Sequence, residues 1–321
     1  MSTDTAVVAA IDGDAAEPRL PSLSPSRAAD FKTCPLLYRF RTIDRLPERP
    51  SADQARGTLV HAVLERLFDL PAPARTPSAA ESLVAPMWDE LVAARDELAE
   101  LFASPAAAVP SGDVLPFAVA STSDNAATWR REDFLAAARA LLGGYFAVED
   151  PQRLEPAERE SLISAVVDEQ LVIRGYIDRL DVAPTGALRV VDYKTGGAPR
   201  EAFEARALFQ LKFYALVLWR TRGVVPRVLR LLYLKDAEVC DYSPDAEELE
   251  RFERTVVALW KAIEQATVAK DFRPKPGRLC GWCSHQAVCP AFGGTPPPFP
   301  EPLAEPALDA AGAVQSPGAD E

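Results

Sequence analysis

The sequence predicts an α/β fold, and three observations predict it. Between Ser164 and Thr195 the hydrophobic pattern has period two, the signature of strands. Ala205–Arg222 returns to helical spacing, and Arg227–Leu234 is a strongly apolar strand, so the order is three strands, a helix and a strand. With 321 residues the chain can bury a sizeable core, as one large domain or one domain with a helical insertion.

Taken in order, residues 1–20 are expected to be a disordered acidic tail and 21–292 the folded part. Ser24 to Cys34 reads as a short helix with Ser24 or Ser26 as cap. Gly57 to Leu70 is amphipathic, with Leu59, Val60, Val63, Leu64, Leu67 and Phe68 at helical spacing. Pro71 to Pro77 is a linker. Ala79–Phe102 and Thr128–Phe146 read as helices of an insertion spanning 79–146, whose chemistry is not legible. Ala237–Tyr242 is a further strand and Asp245–Lys270 a helix. Seven prolines in residues 293–321 predict an unstructured, acidic C-terminal tail.

The formal charge of −12 is unevenly placed. Four acids and one arginine in residues 1–20, with five acids and no base in 293–321, carry eight of the twelve net negative charges. Arg189–Lys235 has ten bases against three acids, and Lys270–Arg278 four against one. A positive face is therefore compatible with the acidic total. No apolar run approaches a membrane span, and the N-terminus lacks a charged region followed by an apolar one. The expectation is a soluble, cytoplasmic protein without a membrane partner.

The chemistry concentrates in Arg174–Gly196. Val172–Val182 and Leu188–Tyr193 form a hairpin around a Pro184–Gly186 turn, with Asp178 in the first strand and Asp192 and Lys194 ending the second. Two carboxylates and an ammonium in an apolar ladder are costly unless neutralised. A divalent cation such as Mg²⁺ or Mn²⁺ does that, and a neighbouring lysine can orient a water or steady a phosphate. An ordinary Asp–Lys ion pair at a strand end is the simpler alternative. Gln210 and Tyr214 are one helical turn apart and share a face. Four cysteines, Cys34 with Cys280, Cys283 and Cys289, have a spacing that points to metal in an intracellular protein. Four thiolates suit Zn²⁺ or a 4Fe–4S cluster, and spacing alone does not choose. Cys240 reads as a buried free thiol and His285 as a bystander.

Together these residues resemble the RecB-like branch of the PD-(D/E)XK nuclease superfamily. The matching motifs are G-x-x-x-H at Gly57–His61, G-x-x-D at Gly175–Asp178, D-Y-K at Asp192–Lys194, Q-x-x-x-Y at Gln210–Tyr214 and the four cysteines, in that family's order. The resemblance covers roughly Ser24–Phe292. It implies a restriction-endonuclease-like αβββαβ core with a mixed central sheet flanked by helices. It implies a metal held by His61, Asp178, Asp192 and the Tyr193 backbone carbonyl, and Lys194 acting on the attacking water. Gln210 would point at the site and Tyr214 contact nucleic acid; Arg179 and Arg206 are phosphate contacts on proximity alone. A distant cysteine plus a C-terminal triplet matches the family's 4Fe–4S arrangement, which makes 270–292 a cluster-binding end and the cluster a clasp joining the chain's two ends.

The implied activity is a Mg²⁺- or Mn²⁺-dependent DNA exonuclease of repair or recombination, acting on single strands or ends. The alternative is an iron–sulfur DNA-binding accessory protein of repair with little cleavage. No P-loop is present, so any helicase motor would be a separate partner.

Overall fold

The computed structural model describes residues 20–48, 51–102, 130–198 and 204–300, with no side chains for 204–206. The expectations for the first 19 residues, for Thr128, for the Arg206 side chain and for the tail beyond Pro300 lie outside them. In chain order the elements are β1 (Ser22–Leu23), α1 (Pro25–Thr33), α2 (Pro35–Tyr38), α3 (Ala52–Leu67), α4 (Pro77–Ala94) and α5 (Arg131–Val148). Then follow β2 (Glu158–Val167), β3 (Leu171–Val182), β4 (Leu188–Lys194), α6 (Glu204–Arg222), β5 (Val228–Tyr233), β6 (Glu238–Tyr242) and α7 (Ala246–Ala269). The fold is α/β, with a central mixed sheet flanked by helices. The predicted order of three strands, helix and strand holds.

One expectation shifts for a local reason. The helix predicted from Gly57 begins five residues earlier, at Ala52. Ser51 and Gln54 form its cap: the Gln54 N–H donates to Ser51 Oγ at 3.1 Å, and the Ser51 N–H donates to Gln54 Oε1 at 3.5 Å. Gly57 therefore sits inside the helix instead of opening it.

The described chain divides into two units. The first, from residues 1–25, 60–83 and 139–257, holds the whole sheet. Its order is β1-β3-β4-β5-β6, with β2 on the other edge of β3. β3 pairs antiparallel with β2 and β4, and β4 parallel with β5, joined by the crossover helix α6. Ile173, Ile177, Val190, Val191, Leu229, Leu231 and the α6 run Leu211–Leu218 build the core, with Tyr214 at its margin. Gly144 of α5 is obligatory here, because a Cβ would fall 1.8 Å from the Leu234 carbonyl oxygen.

The second unit takes residues 26–59, 84–138 and 258–321. One aromatic group in it packs Trp88 against Phe134 at 4.7 Å and Phe102 at 5.5 Å. Another joins the two ends of the chain. Phe272 stacks on Tyr38 at 6.2 Å and on Phe299 at 6.1 Å. The Arg39 guanidinium lies over the Phe299 ring and also donates to the Pro297 carbonyl. Residues 293–300, expected to belong to the unstructured tail, thus pack in place, because Phe299 has an aromatic partner and a cation to cover it.

Candidate functional site

The site forms where the sheet opens. β3 and β4 pair only from Arg179↔Val191 to Val182↔Leu188. Beyond that, Asp192, Tyr193 and Lys194 continue on β5 alone. The Tyr193 N–H, released from the β3 ladder, donates to Asp178 Oδ2 at 2.7 Å. A carboxylate thus satisfies a backbone donor that the diverging strand no longer satisfies. The opening leaves Asp178 and Asp192 on neighbouring strands at the edge of a notch.

α3 supplies His61 to the same place. Its Nδ1 lies 3.5 Å from Asp178 Oδ1 and 3.4 Å from Glu160 Oε1. Its Nε2 lies 3.0 Å from the Tyr193 carbonyl oxygen. His61, Glu160 and Asp178 each offer a ligand atom, all within 4.8 Å of one another. Glu160 was not anticipated. It lies between the Arg159↔Arg179 and Ser161↔Ile177 pairs, the register position that faces Asp178, and its backbone is left-handed, with φ of 41°. Strain of this kind in a glutamate is held by its surroundings and turns the carboxylate toward the imidazole. Two carboxylates directly opposite on paired strands repel.

The electrostatics follow from this crowding. Burial and the Asp192 carboxylate push Asp178 up to about 7. Burial alone would lower His61, but Asp178, Glu160 and Asp192 overcome it and raise the imidazole to about 9. Excess negative charge is thus held by protons, the condition under which a divalent cation can displace them. One nitrogen and several carboxylate oxygens form a donor set that suits Mn²⁺ or Mg²⁺.

Lys194 is fixed from two sides. Its Nζ lies 2.6 Å from Asp192 Oδ2 and donates to Gln210 Oε1 at 2.9 Å. Gln210 Nε2 in turn donates to the Tyr214 hydroxyl at 2.8 Å. Tyr214, expected to touch nucleic acid, is buried and holds Gln210 from behind. Its ring also explains the glycine of G-x-x-D. A Cβ on Gly175 would meet Tyr214 Cε1 at 2.7 Å, so the two motifs are one packing unit. The structure therefore brings together His61, Asp178, Asp192, Tyr193, Lys194, Gln210 and Tyr214, and adds Glu160.

Two other expectations are corrected. Arg179 is buried, with its guanidinium committed to Glu149, Asp181 and the Tyr193 hydroxyl, so it braces the site's floor and contacts no phosphate. The basic stretch Arg189–Lys235 is largely neutralised by carboxylates. Arg189 pairs with Asp181, Lys212 with Glu248, Arg220 with Glu253, Arg222 with Glu158 and Arg230 with Asp241.

In the second unit, Cys34, Cys280, Cys283 and Cys289 line one cavity of about 220 Å³, shared with Leu36, Phe40 and Phe292. Backbone N–H groups of Lys275 and Gly277 donate to the sulfurs of Cys34 and Cys280, both at 3.3 Å. Burial raises the Cys283 thiol, and the nearby Cys289 and Cys280 add to it against an opposing bond from the His285 backbone. His285, expected as a bystander, is buried, with Nε2 2.7 Å from Glu48 Oε1 and its ring 5.3 Å from Phe40. Cys240, expected to be buried, is half-buried on β6 at the sheet's edge.

The chain is similar to several known proteins. The sequence profile of the PD-(D/E)XK nuclease superfamily matches residues 22–290. The "Gene 69 protein" of Mycobacterium phage D29 is 25% identical over 305 residues, covering 85% of this chain and 98% of that protein. The "Gene 69 protein" of Mycobacterium phage L5 is 32% identical over 123 residues, covering 37% of this chain and 40% of that one. A crystal structure from Eubacterium rectale described as a "Putative exonuclease" aligns with a TM-score of 0.45 at 9% identity, over 82% of this chain and 86% of the other. No described helix is long and apolar enough to cross a membrane.

Proposed function

Because the chain belongs to the PD-(D/E)XK nuclease superfamily, we propose that it is a divalent-metal-dependent DNA exonuclease of repair or recombination, working on single strands or ends. The observation that carries this reading is the convergence of His61, Glu160, Asp178 and Asp192 beside a lysine held in place. His61, Glu160 and Asp178, with Asp192 beside them, would hold Mg²⁺ or Mn²⁺. Bound there, the cation would acidify a water and offset charge developing on the scissile phosphate. The Tyr193 carbonyl, already accepting from His61, fixes the imidazole so that Nδ1 faces the carboxylates.

The chain's own part is positional. Asp192 and Gln210 hold the Lys194 ammonium at the mouth of the notch, where it can orient the attacking water and stabilise the equatorial oxygens of the transition state. Tyr214 keeps Gln210 from swinging away. Cleavage of end-labelled linear DNA, compared with a circular single strand of the same sequence, tests the reading. Metal-dependent loss of terminal nucleotides from the linear substrate alone supports it. Equal cutting of the circle would make the protein an endonuclease.

The four cysteines are proposed to hold a 4Fe–4S cluster as a structural clasp. All four thiols line one cavity, and backbone N–H donors already lie on two of the sulfurs, which suits a thiolate-held cluster; zinc on the same thiolates is the alternative.

A further inference from the structure

The nuclease reading leaves one feature of the sheet unexplained. Along the β2–β3 hairpin, Ile163, Ala165, Ile173 and Ile177 are buried on one side, and the other side is open. On the open side Tyr176 is 58% exposed and Leu162 55%, and the register places them directly opposite each other. Val166, 53% exposed, lies on the same open side, so the exposed apolar side chains of this hairpin are grouped on one face. The next pair along the same side is Ser164 and Arg174.

The position of this face matters more than its composition. Strand alternation puts Arg174, Tyr176 and Asp178 on one side of β3, successive side chains about 6.6–6.8 Å apart. Across the register, Leu162 stands two residues after Glu160 just as Tyr176 stands two before Asp178. The open face is thus a continuation of the carboxylate pair that faces His61. Arg174 differs from several other arginines of this unit. Arg189, Arg222 and Arg230 are each paired with a carboxylate, whereas Arg174 has no ion-pair partner among the described residues.

Resting on the nuclease reading, we propose that this face seats the single-stranded nucleic acid leading into the site, with an unpaired base stacked on Tyr176 against Leu162 and a phosphate met by Arg174. A flat exposed ring beside an uncommitted cation is the arrangement by which proteins hold single strands irrespective of sequence. The same chemistry gives a preference. A base inside a duplex is stacked on both faces and has none free to lie on Tyr176, so the hairpin favours unpaired substrate one step from the carboxylates.

The test uses full-length protein carrying Lys194→Ala, so that DNA is bound in Mg²⁺ without being cut. Anisotropy of a labelled single-stranded oligonucleotide is compared with and without Tyr176→Ala, Tyr176→Phe or Arg174→Gln. Tyr176→Ala is expected to weaken single-strand binding roughly tenfold or more, the scale of one base–aromatic stack. Tyr176→Phe should retain binding within about twofold, because the ring and not the hydroxyl stacks. Arg174→Gln should lower the salt slope by about one phosphate contact. Blunt-duplex affinity should change far less than single-strand affinity. With Lys194 restored, Tyr176→Ala should act mainly on KM for single strands.

Unchanged single-strand affinity in Tyr176→Ala, while wild type binds and cuts, overturns this proposal alone. A change in oligomeric state with unchanged DNA affinity also overturns it, and assigns the face to a protein contact. Wild type that neither cuts nor binds DNA overturns the nuclease reading, and this proposal with it. Melting temperatures verify that each variant is folded, as substitution at an exposed position permits.

Discussion

Metal binding at the notch should expel protons, because two of the groups that would ligate the ion hold protons near neutral pH. Asp178 is pushed up to about 7 and His61 to about 9 in the metal-free protein. Both must be deprotonated to act as ligands. At pH 7 Asp178 is then about half protonated and His61 almost fully, so binding one Mn²⁺ releases about 1.5 protons. At pH 8 the number falls to about 1 and at pH 9 to about 0.5. Apparent affinity should therefore rise about 100-fold between pH 7 and pH 9.

The same shifts set the sign for stability without metal. Both folded-state values lie above the unfolded ones, so the stability they contribute is present at low pH. It is lost as pH rises through about 7 for Asp178 and through about 9 for His61. Titration calorimetry in two buffers of different ionisation enthalpy counts the protons directly. His61→Gln should reduce release at pH 7, because the imidazolium proton is no longer there to be displaced. Equal heats in both buffers, or an affinity flat from pH 7 to 9, would refute the assignment of these two groups as ligands.

Three further outcomes follow from other contacts. Gly175→Ala drives a methyl into the Tyr214 ring at 2.7 Å, and should lower stability by about 1–3 kcal/mol and slow cleavage by loosening Gln210; a variant with wild-type melting temperature and rate would show that the ring yields freely. Arg179→Ala strands the buried carboxylates of Glu149 and Asp181 and should cost about 3–5 kcal/mol by denaturant unfolding, whereas a loss under about 1 kcal/mol would mean the ion network is idle. Cys283→Ser should abolish visible absorbance and bound iron and lower the melting temperature, since closing a loop between Cys34 and Cys280 is worth at most about 5 kcal/mol of unfolded-state entropy. Stoichiometric zinc with no iron in anaerobically prepared wild type would instead identify the group as zinc.

The strands were legible because period-two alternation and β-branched residues survive in a half-buried sheet, and Pro184–Gly186 punctuates the β3–β4 hairpin. Asp178, Asp192 and Lys194 were legible because charges are conspicuous in an apolar ladder. Glu160 was not. It lies among Glu155, Glu158 and Arg159, where an acid carries no signal. Its role depends on register, and the register is set by the turn after Val167, in which Asp168 and Glu169 both adopt left-handed backbone. Counting back from that turn places Glu160 opposite Asp178. The role of Tyr214 was misjudged because a shared helix face says nothing about depth, and Gly175 opens the space that buries the ring. Ion pairing hid the fate of the basic stretch, since the carboxylates that neutralise it come from β2, β3, β6 and α7. Phe299 lies in a proline-rich run whose composition masks its aromatic partner Phe272.

The central claim is that Asp192 and Lys194 serve cleavage, with Asp192 joining the cation-binding carboxylates and orienting the ammonium. Asp192→Asn tests it most directly, because it keeps the shape of a buried side chain while removing the charge that holds Lys194 at 2.6 Å. Folded protein, confirmed by its melting temperature, is assayed on end-labelled linear single-stranded DNA in Mn²⁺, with binding measured in parallel. Cleavage should fall by about 10³-fold or more, with DNA affinity changed by less than about threefold. Undiminished cleavage by Asp192→Asn would contradict the claim.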